Sequence, residues 1–153
     1  MDTITIDGIL LTELKRIPHR QGDIFHAIKK TDAGFMGFGE AYFSTIRFNE
    51  IKAWKKHSKM TLNLIVPVGR IKFVLYDDRQ ESRTKGLFYE VILSPENYKR
   101  LTVTPDIWMG FQGLDEGLSL LLNIANLEHD PDEIDRRDLY DPSIPYVWGG
   151  KHK

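Results

Sequence analysis

A chain of 153 residues, of which 41% are hydrophobic and 28% charged, is long enough to bury a sizeable core and has the composition of a folded globular protein. Its 21 lysines and arginines nearly balance 22 aspartates and glutamates, which argues against a general nucleic-acid-binding protein. The sequence has no cysteine, which excludes disulfides, thiolate metal sites and a cysteine nucleophile. No apolar run approaches the ~20 residues of a membrane span, and the N-terminal segment is acidic where a signal peptide would be basic. We therefore expect a cytoplasmic protein that has no membrane partner.

Short apolar or β-branched segments, separated by glycine, proline and asparagine, predict β-strands along most of the chain. We expect strands at residues 3–6, 9–14, 41–48, 62–68, 71–76, 87–93, 101–103, 108–111 and 118–125. Residues 17–31 fit either one helical turn or an extended arm, and the prolines after residue 130 predict an irregular tail. Short strands at regular spacing predict an all-β, antiparallel jelly roll of the barrel type, formed as a single domain by residues 1–153.

A basic and aromatic cluster surrounds His57, just before a hairpin predicted by two strands that flank Gly69. This position suits a polar group at the mouth of a barrel, where ligands often bind. The alternative is an exposed histidine in a basic loop. The cations nearest to it are predicted to hold an anion such as a phosphate: Arg47, Lys52, Lys55, Lys56 and Lys59. An exposed Trp54 among them would stack on a ring of the ligand, whereas the alternative for the whole cluster is a solvated loop face.

The common catalytic and cofactor motifs are absent. The sequence has no phosphate-binding GxxxxGK[ST], no dinucleotide fingerprint and no GxSxG nucleophile elbow. Its five histidines are far apart and form no HxH or HExxH pair, so we expect neither a metal site nor a cofactor.

A collinear set of landmarks resembles the dTDP-4-dehydrorhamnose 3,5-epimerase family of sugar-nucleotide cupins. The landmarks span roughly residues 20–148 and are Gly22-Asp23-Ile24-Phe25, His57, the Gly69 turn, Tyr76-Asp77-Asp78-Arg79 with Ser82 and Gly86, Leu93-Ser94-Pro95-Glu96-Asn97, Pro105, Gly110-Phe111 and His129-Asp130-Pro131. The resemblance implies a jelly-roll homodimer that acts on a nucleotide-linked 4-keto-6-deoxy sugar, in deoxysugar or polysaccharide biosynthesis, without a metal or a cofactor. Sheet edges in jelly rolls of this size favour pairing, and we expect the N-terminal segment to contribute to the dimer.

The same resemblance places the catalytic base of the family at His57. Other family residues are replaced: the acid tyrosine by Asn123, the enolate-stabilising lysine by Leu62, an arginine by Trp54 and a second histidine by Met109. The aspartate that orients the family histidine would lie beyond the position of Trp148, and the sequence up to Lys153 has no counterpart.

Other residues of this chain are candidates for the missing roles. They are Lys55 or Lys56 for the cation, His129 or Tyr140 for the acid, and Asp138 or Asp141 for the orienting carboxylate. We assign catalysis to His57 and His129, and substrate binding to Arg47, Trp54, Lys55, Lys56 and Asn123. Three interpretations stay open: an epimerase or isomerase of a nucleotide-linked keto sugar, a cupin that binds a sugar nucleotide or carbohydrate without turnover, and a metal-dependent cupin. The lack of paired histidines disfavours the third.

Overall fold

The computed structural model describes residues 5–149, which form twelve β-strands and one short 3-10 helix. The strands are β1 (Ile9–Glu13), β2 (Arg16–Ile17), β3 (Ile24–Phe25), β4 (Glu40–Ile46), β5 (Ile51–His57), β6 (Leu62–Val68), β7 (Ile71–Tyr76), β8 (Phe88–Leu93), β9 (Lys99–Val103), β10 (Trp108–Gly113), β11 (Ser119–Ala125) and β12 (Ile134–Arg136). The 3-10 helix, Pro131–Glu133, directly precedes β12.

Two five-stranded antiparallel sheets face each other. The first has the strand order β1-β9-β6-β11-β4, and the second has the order β12-β5-β10-β7-β8. A two-stranded ribbon of β2 and β3 lies beside them. Strands that are adjacent in sequence, such as β4 and β5, often fall in different sheets, as expected of a double-sheet jelly roll. The predicted all-β jelly-roll fold is therefore confirmed. No helix among residues 5–149 is long and apolar enough to cross a membrane.

The main core fills the space between the two sheets. Strands β6 and β7 supply much of it, because Leu64 and Phe73 are fully buried. The two strands belong to different sheets, so the hairpin predicted around Gly69 is wrong. Gly69 turns the chain from one sheet to the other with φ +87, and a Cβ at that position would collide with Ser119. Glycine therefore serves both the left-handed turn and the close packing of the strand beside it.

A second apolar cluster covers the outer face of the second sheet. It consists of Trp54, Trp108 and Val74 from the sheet and Ile144 and Trp148 from the C-terminal tail. Gly110 leaves room for the Trp148 ring, because a Cβ there would approach that ring to 3.0 Å. The tail is therefore anchored by packing onto the sheet.

Most of the predicted strands are confirmed, and three segments differ. Residues 51–57, for which no strand was predicted, form β5, and residues 134–136 of the tail form β12. Thr5 and Ile6 lie outside any strand, and the remainder of the predicted strand at residues 3–6 lies outside the described residues. Residues 17–31 are extended and contain β3, which agrees with one of the two interpretations of that segment.

A buried carboxylate fixes the loop that follows β7. Asp77 is fully buried and accepts hydrogen bonds from the Arg79 guanidinium at 2.9 Å, from Ser82 and from Thr84 at 2.6 Å. Burial alone would raise the pKa of Asp77, but these donors outweigh it and hold the pKa well below the usual value of 3.8. The Arg79 guanidinium also donates to the backbone carbonyl of Asp7, which ties the N-terminal segment to this loop.

We predict that Asp77→Asn lowers the free energy of unfolding by about 3 kcal/mol at pH 7, because breaking a buried ion pair typically costs ~3–5 kcal/mol. The effect should be complete above about pH 5 and shrink as the pH falls below the ordinary aspartate pKa, since the carboxyl of the unfolded chain is protonated before that of the folded protein, whose pKa is lower. Denaturant titrations at pH 7 and pH 3 measure both values. The exposed Asp115→Asn is the matched control and should change the free energy of unfolding by less than ~0.5 kcal/mol. Equal losses for the two variants would contradict the prediction.

Candidate active site

A cavity of about 780 Å³ opens between the two sheets, beside the main core. One wall comes from the first sheet through β4, β6, β9 and β11, and the other from β5 and β10 of the second sheet. Its polar and charged lining residues are Tyr42, Ser44, Lys52, Lys55, His57, Thr104, Asn123, Arg136, Arg137 and Asp138. Its floor is apolar, with Leu62, Met109 and Phe111 among the contributors. A deep apolar cleft with a few converging polar groups is the usual form of a small-molecule site.

The predicted base, His57, lies at the end of β5 and lines this cavity. Its Nδ1 is 2.6 Å from Oε1 of Glu133, and its side chain is 12% exposed. An ionised carboxylate can only accept a hydrogen bond, so Nδ1 carries the proton and Nε2 is the basic nitrogen. Burial lowers the pKa of His57 below 6.5, although the bond and charge of Glu133 oppose that shift. His57 is therefore neutral at pH 7, as a general base must be.

Glu133, which sequence reasoning missed, supplies the orienting carboxylate. The side chain of Asp130 caps the 3-10 helix that presents Glu133, and Ile134 then pairs with His57 as β12 joins β5. Glu133 is almost fully buried, and its second oxygen accepts the backbone amides of Lys59 and Met60. Burial raises the pKa of Glu133, but the hydrogen bonds from His57 and the two amides outweigh this and lower it.

The two carboxylates predicted for this role do not fill it. Asp138 lines the cavity, but the carboxylate that contacts Nδ1 of His57 is Glu133. Asp141 accepts hydrogen bonds from the backbone and the hydroxyl of Ser143 and so caps a turn. The only sequence signal for Glu133 was an acidic residue one turn after the Asp130-Pro131 pair, and nothing in that pattern connects it to a histidine 76 positions earlier.

Cations surround the histidine inside the cavity. Lys55 precedes His57 by two residues on the same strand, so both side chains lie on the inner face. Arg136 is the direct cross-strand neighbour of Lys55 and shares that face, and Lys52 completes the group. Arg137 borders the cavity, but its guanidinium lies over the Trp108 ring of the outer cluster, 4.6 Å from the ring centre. Burial first, and then repulsion from Arg136 and Lys52, lower the pKa of Lys55. An anionic ligand would relieve this repulsion. The two arginines were not predicted from the sequence.

Three predicted site residues lie outside this cavity. Lys56 lies on the opposite face of β5, where it pairs with Asp78 at 3.5 Å and covers the Trp108 ring. Successive side chains of a strand point to opposite faces, and this separation of Lys55 from Lys56 could not be foreseen because no strand was predicted here. Arg47 is exposed in the turn after β4 and lines a separate, smaller depression. His129, predicted as a second catalytic residue, is exposed beyond β11 and is not part of the cavity wall.

Trp54 was predicted to be an exposed ring-stacking residue, and this is wrong. It is 2% exposed, and its ring packs 5.5 Å from that of Trp148 and 6.1 Å from that of Tyr146 in the outer cluster. It contributes to the cavity wall, but its indole is committed to anchoring the tail.

Asn123, predicted to bind substrate, lies in the cavity opposite β5. Its amide nitrogen donates to the phenol oxygen of Tyr42 over 3.0 Å, and the two residues are cross-strand partners on β11 and β4. The side chain is buried, and among residues 5–149 its carbonyl oxygen has no hydrogen-bond donor. The amide of Asn123 is therefore directed at Tyr42.

No group of three or more histidine, aspartate or glutamate side chains within residues 5–149 is arranged to hold a metal ion. The polar groups of the cavity instead form an acid–base pair and a cluster of cations.

Comparison with known proteins gives this arrangement its context. A dTDP sugar isomerase from Desulfovibrio desulfuricans G20 is 38% identical, and the match covers 96% of this chain and 94% of the other with a TM-score of 0.91. A probable low-salt glycan biosynthesis epimerase of Haloferax volcanii is 32% identical over 97 residues, which are 61% of this chain and 62% of that protein. A dTDP-6-deoxy-D-glucose-3,5-epimerase from Legionella pneumophila Philadelphia 1 shares the fold, with a TM-score of 0.83 at 20% identity. No family model matches the chain.

The fold, the cavity and these similarities define a sugar-nucleotide epimerase or isomerase built on a cupin jelly roll. More particularly, the chain belongs to the family of the dTDP sugar isomerase of Desulfovibrio desulfuricans and has the fold of the 3,5-epimerase from Legionella pneumophila. The expected family and class of enzyme are thereby confirmed.

The contact between His57 and Glu133 yields a prediction about titration. Because Glu133 raises the pKa of His57 against the effect of burial, Glu133→Gln should move the His57 titration to still lower pH. The glutamine oxygen can still accept the Nδ1 proton, so the change reports the lost charge. Histidine ring resonances followed by NMR from pH 4 to pH 8 give the measurement. Asp135→Asn removes a nearby exposed carboxylate on β12 and should leave the titration unchanged. A rise in the His57 pKa in Glu133→Gln would contradict the prediction.

Proposed function

We propose that this protein epimerises or isomerises a nucleotide-linked 4-keto-6-deoxy sugar, with His57 as the base that removes a proton beside the keto group. The C4 carbonyl acidifies the neighbouring C–H bonds, so the reaction needs a base, a group that stabilises the enolate, and a proton source. Members of the family whose names specify a substrate act on dTDP-linked sugars, which supports this class of substrate.

The observation that carries the proposal is the hydrogen bond of 2.6 Å between His57 and Glu133 inside the cavity. A carboxylate bound to Nδ1 holds the imidazole in one tautomer and stabilises the imidazolium that forms after proton abstraction. The lowered pKa keeps the resting histidine neutral. The chain thus provides an oriented base with a carboxylate from its own tail segment.

Lys55 is the group that supports the enolate in this proposal. It lies on the same face of β5 as His57 and is partly desolvated among other cations. A developing negative charge on the sugar oxygen is therefore favourable beside it. Lys52 and Arg136, on the same cavity wall, would bind the diphosphate of the nucleotide. Asn123 lines the facing wall and would contact the sugar there.

The direct test is incubation with dTDP-4-keto-6-deoxyglucose in deuterium oxide, with mass and NMR analysis of label at C3 and C5. We expect His57→Asn to reduce exchange by at least ~10²-fold, because general base catalysis contributes ~10²–10⁴-fold. Binding of dTDP, measured as a ligand-induced shift in melting temperature, should persist, since that contact is assigned to the cations.

His26→Asn is the matched control for this substitution. His26 lies outside the cavity wall, after β3, and its loss should leave exchange within about twofold of wild type. Equal exchange in wild type and His57→Asn would show that the base is misassigned. Nucleotide binding without any exchange in the wild-type protein would favour the non-catalytic binding protein instead.

We also propose that the protein works as a homodimer in the cytoplasm, the compartment that matches a nucleotide-sugar substrate. Strands β1 and β4 are the outer strands of the first sheet, so in the described part of the chain each pairs with a strand on one side only. Phe43 on β4 is 64% exposed, which favours burial against another surface. We expect light scattering at micromolar concentration to give twice the chain mass of 17.8 kDa. A monomeric mass would contradict the dimer.

A further inference from the structure

Inversion at a carbon beside a keto group needs two groups, one on each face of the sugar. The base takes the proton from one face, and a donor must return a proton to the other. His57 and Lys55 share the inner face of β5, so both approach a bound sugar from the second sheet. The donor must come from the facing wall, formed by the first sheet.

We infer that Tyr42 is this donor. It lies on β4 in the first sheet and lines the same cavity as His57. Asn123 donates its amide hydrogen to the phenol oxygen over 3.0 Å, so the phenolic hydrogen stays available to another acceptor. The same bond would stabilise the phenolate left after proton transfer. Asn123 is a positioning residue in this scheme.

The alternatives on that wall fit less well. Ser44, two residues further along β4, accepts a long hydrogen bond of 3.4 Å from Lys52, and an aliphatic hydroxyl is a far weaker acid than a phenol. Thr104 has the same weakness and already donates to the carbonyl of Gly8 at 2.8 Å. Burial, assisted by Glu40, raises the pKa of Tyr42, so the phenol is protonated at neutral pH.

The proton balance is complete without any further reactant. Nε2 of His57 removes the carbon-bound proton, and the C–H electron pair becomes an enolate whose oxygen is held by Lys55. The enolate carbon then takes the phenolic proton of Tyr42 on the opposite face, and the C4 carbonyl re-forms. The resulting imidazolium and phenolate return to their neutral forms by proton exchange with solvent.

This inference rests on the proposed function, and the test separates the two. The probe is dTDP-4-keto-6-deoxyglucose in deuterium oxide, with NMR following both deuterium incorporation and configuration at C3 and C5. In Tyr42→Phe, His57 can still remove a proton and return a deuteron to the same face. We expect exchange within about tenfold of wild type, while inversion falls by ~10²-fold or more.

Two further variants sharpen the test. Asn123→Ala should lower inversion relative to exchange in the same direction as Tyr42→Phe, and Ser44→Ala, on the same strand and wall, should leave that ratio unchanged. Melting curves verify that each variant folds.

A purely structural role for Tyr42 would reduce exchange and inversion equally, and that result would overturn the inference. So would wild-type inversion in Tyr42→Phe. Wild-type exchange without inversion would overturn the inference and leave the base assignment intact, whereas no exchange in wild type would remove the proposed function and the inference together.

Discussion

The site depends on the pairing of β12 with β5. This short ladder brings Glu133 from the C-terminal part of the chain to His57 and brings Arg136 beside Lys55. Three residues of strand would be a weak attachment alone, because each backbone hydrogen bond contributes only ~1 kcal/mol net. The packing of Ile144 and Trp148 on the outer face of the sheet holds the same segment in place. The tail thus positions a side chain that contacts His57 and contributes to the cavity wall, although it contains little regular structure.

Strand β5 serves a different purpose on each face. Its inner face carries Lys55 and His57 into the cavity, and its outer face carries Trp54 and Lys56 toward the tail and Trp108. The outer aromatic packing supplies apolar burial that a strand lined with charges would otherwise lack. This burial offsets the free-energy cost of desolvating Lys55 and His57 on the inner face. The lowered pKa of each group reflects that cost.

The same two-sided use explains where sequence reasoning succeeded and where it failed. Strands β6 and β7 fill the core and read as apolar segments around a glycine turn, so both were predicted, and the order of landmarks led to the family and to His57. Strand β5 was not predicted because neither of its faces is simply apolar. Trp54 was misjudged with it, since nothing local shows that a tail almost a hundred residues later covers the ring. Long-range pairing also hid Glu133 and both arginines.

In the mechanism proposed above, the catalytic groups of this chain differ from those implied by the family resemblance in position more than in chemistry. The orienting carboxylate, Glu133, lies on a 3-10 helix. Leu62 on β6 replaces the lysine expected from the resemblance, and the cation in the cavity is instead Lys55 on β5. Asn123 replaces the tyrosine expected from the resemblance, but this part of the cavity still contains a phenol, because the cross-strand partner of Asn123 is Tyr42. Side chains of paired strands reach almost the same space, so a role can move to a neighbouring strand without a change of fold. A rigid double sheet that presents many inward positions permits such exchanges, provided that base and donor stay on opposite walls.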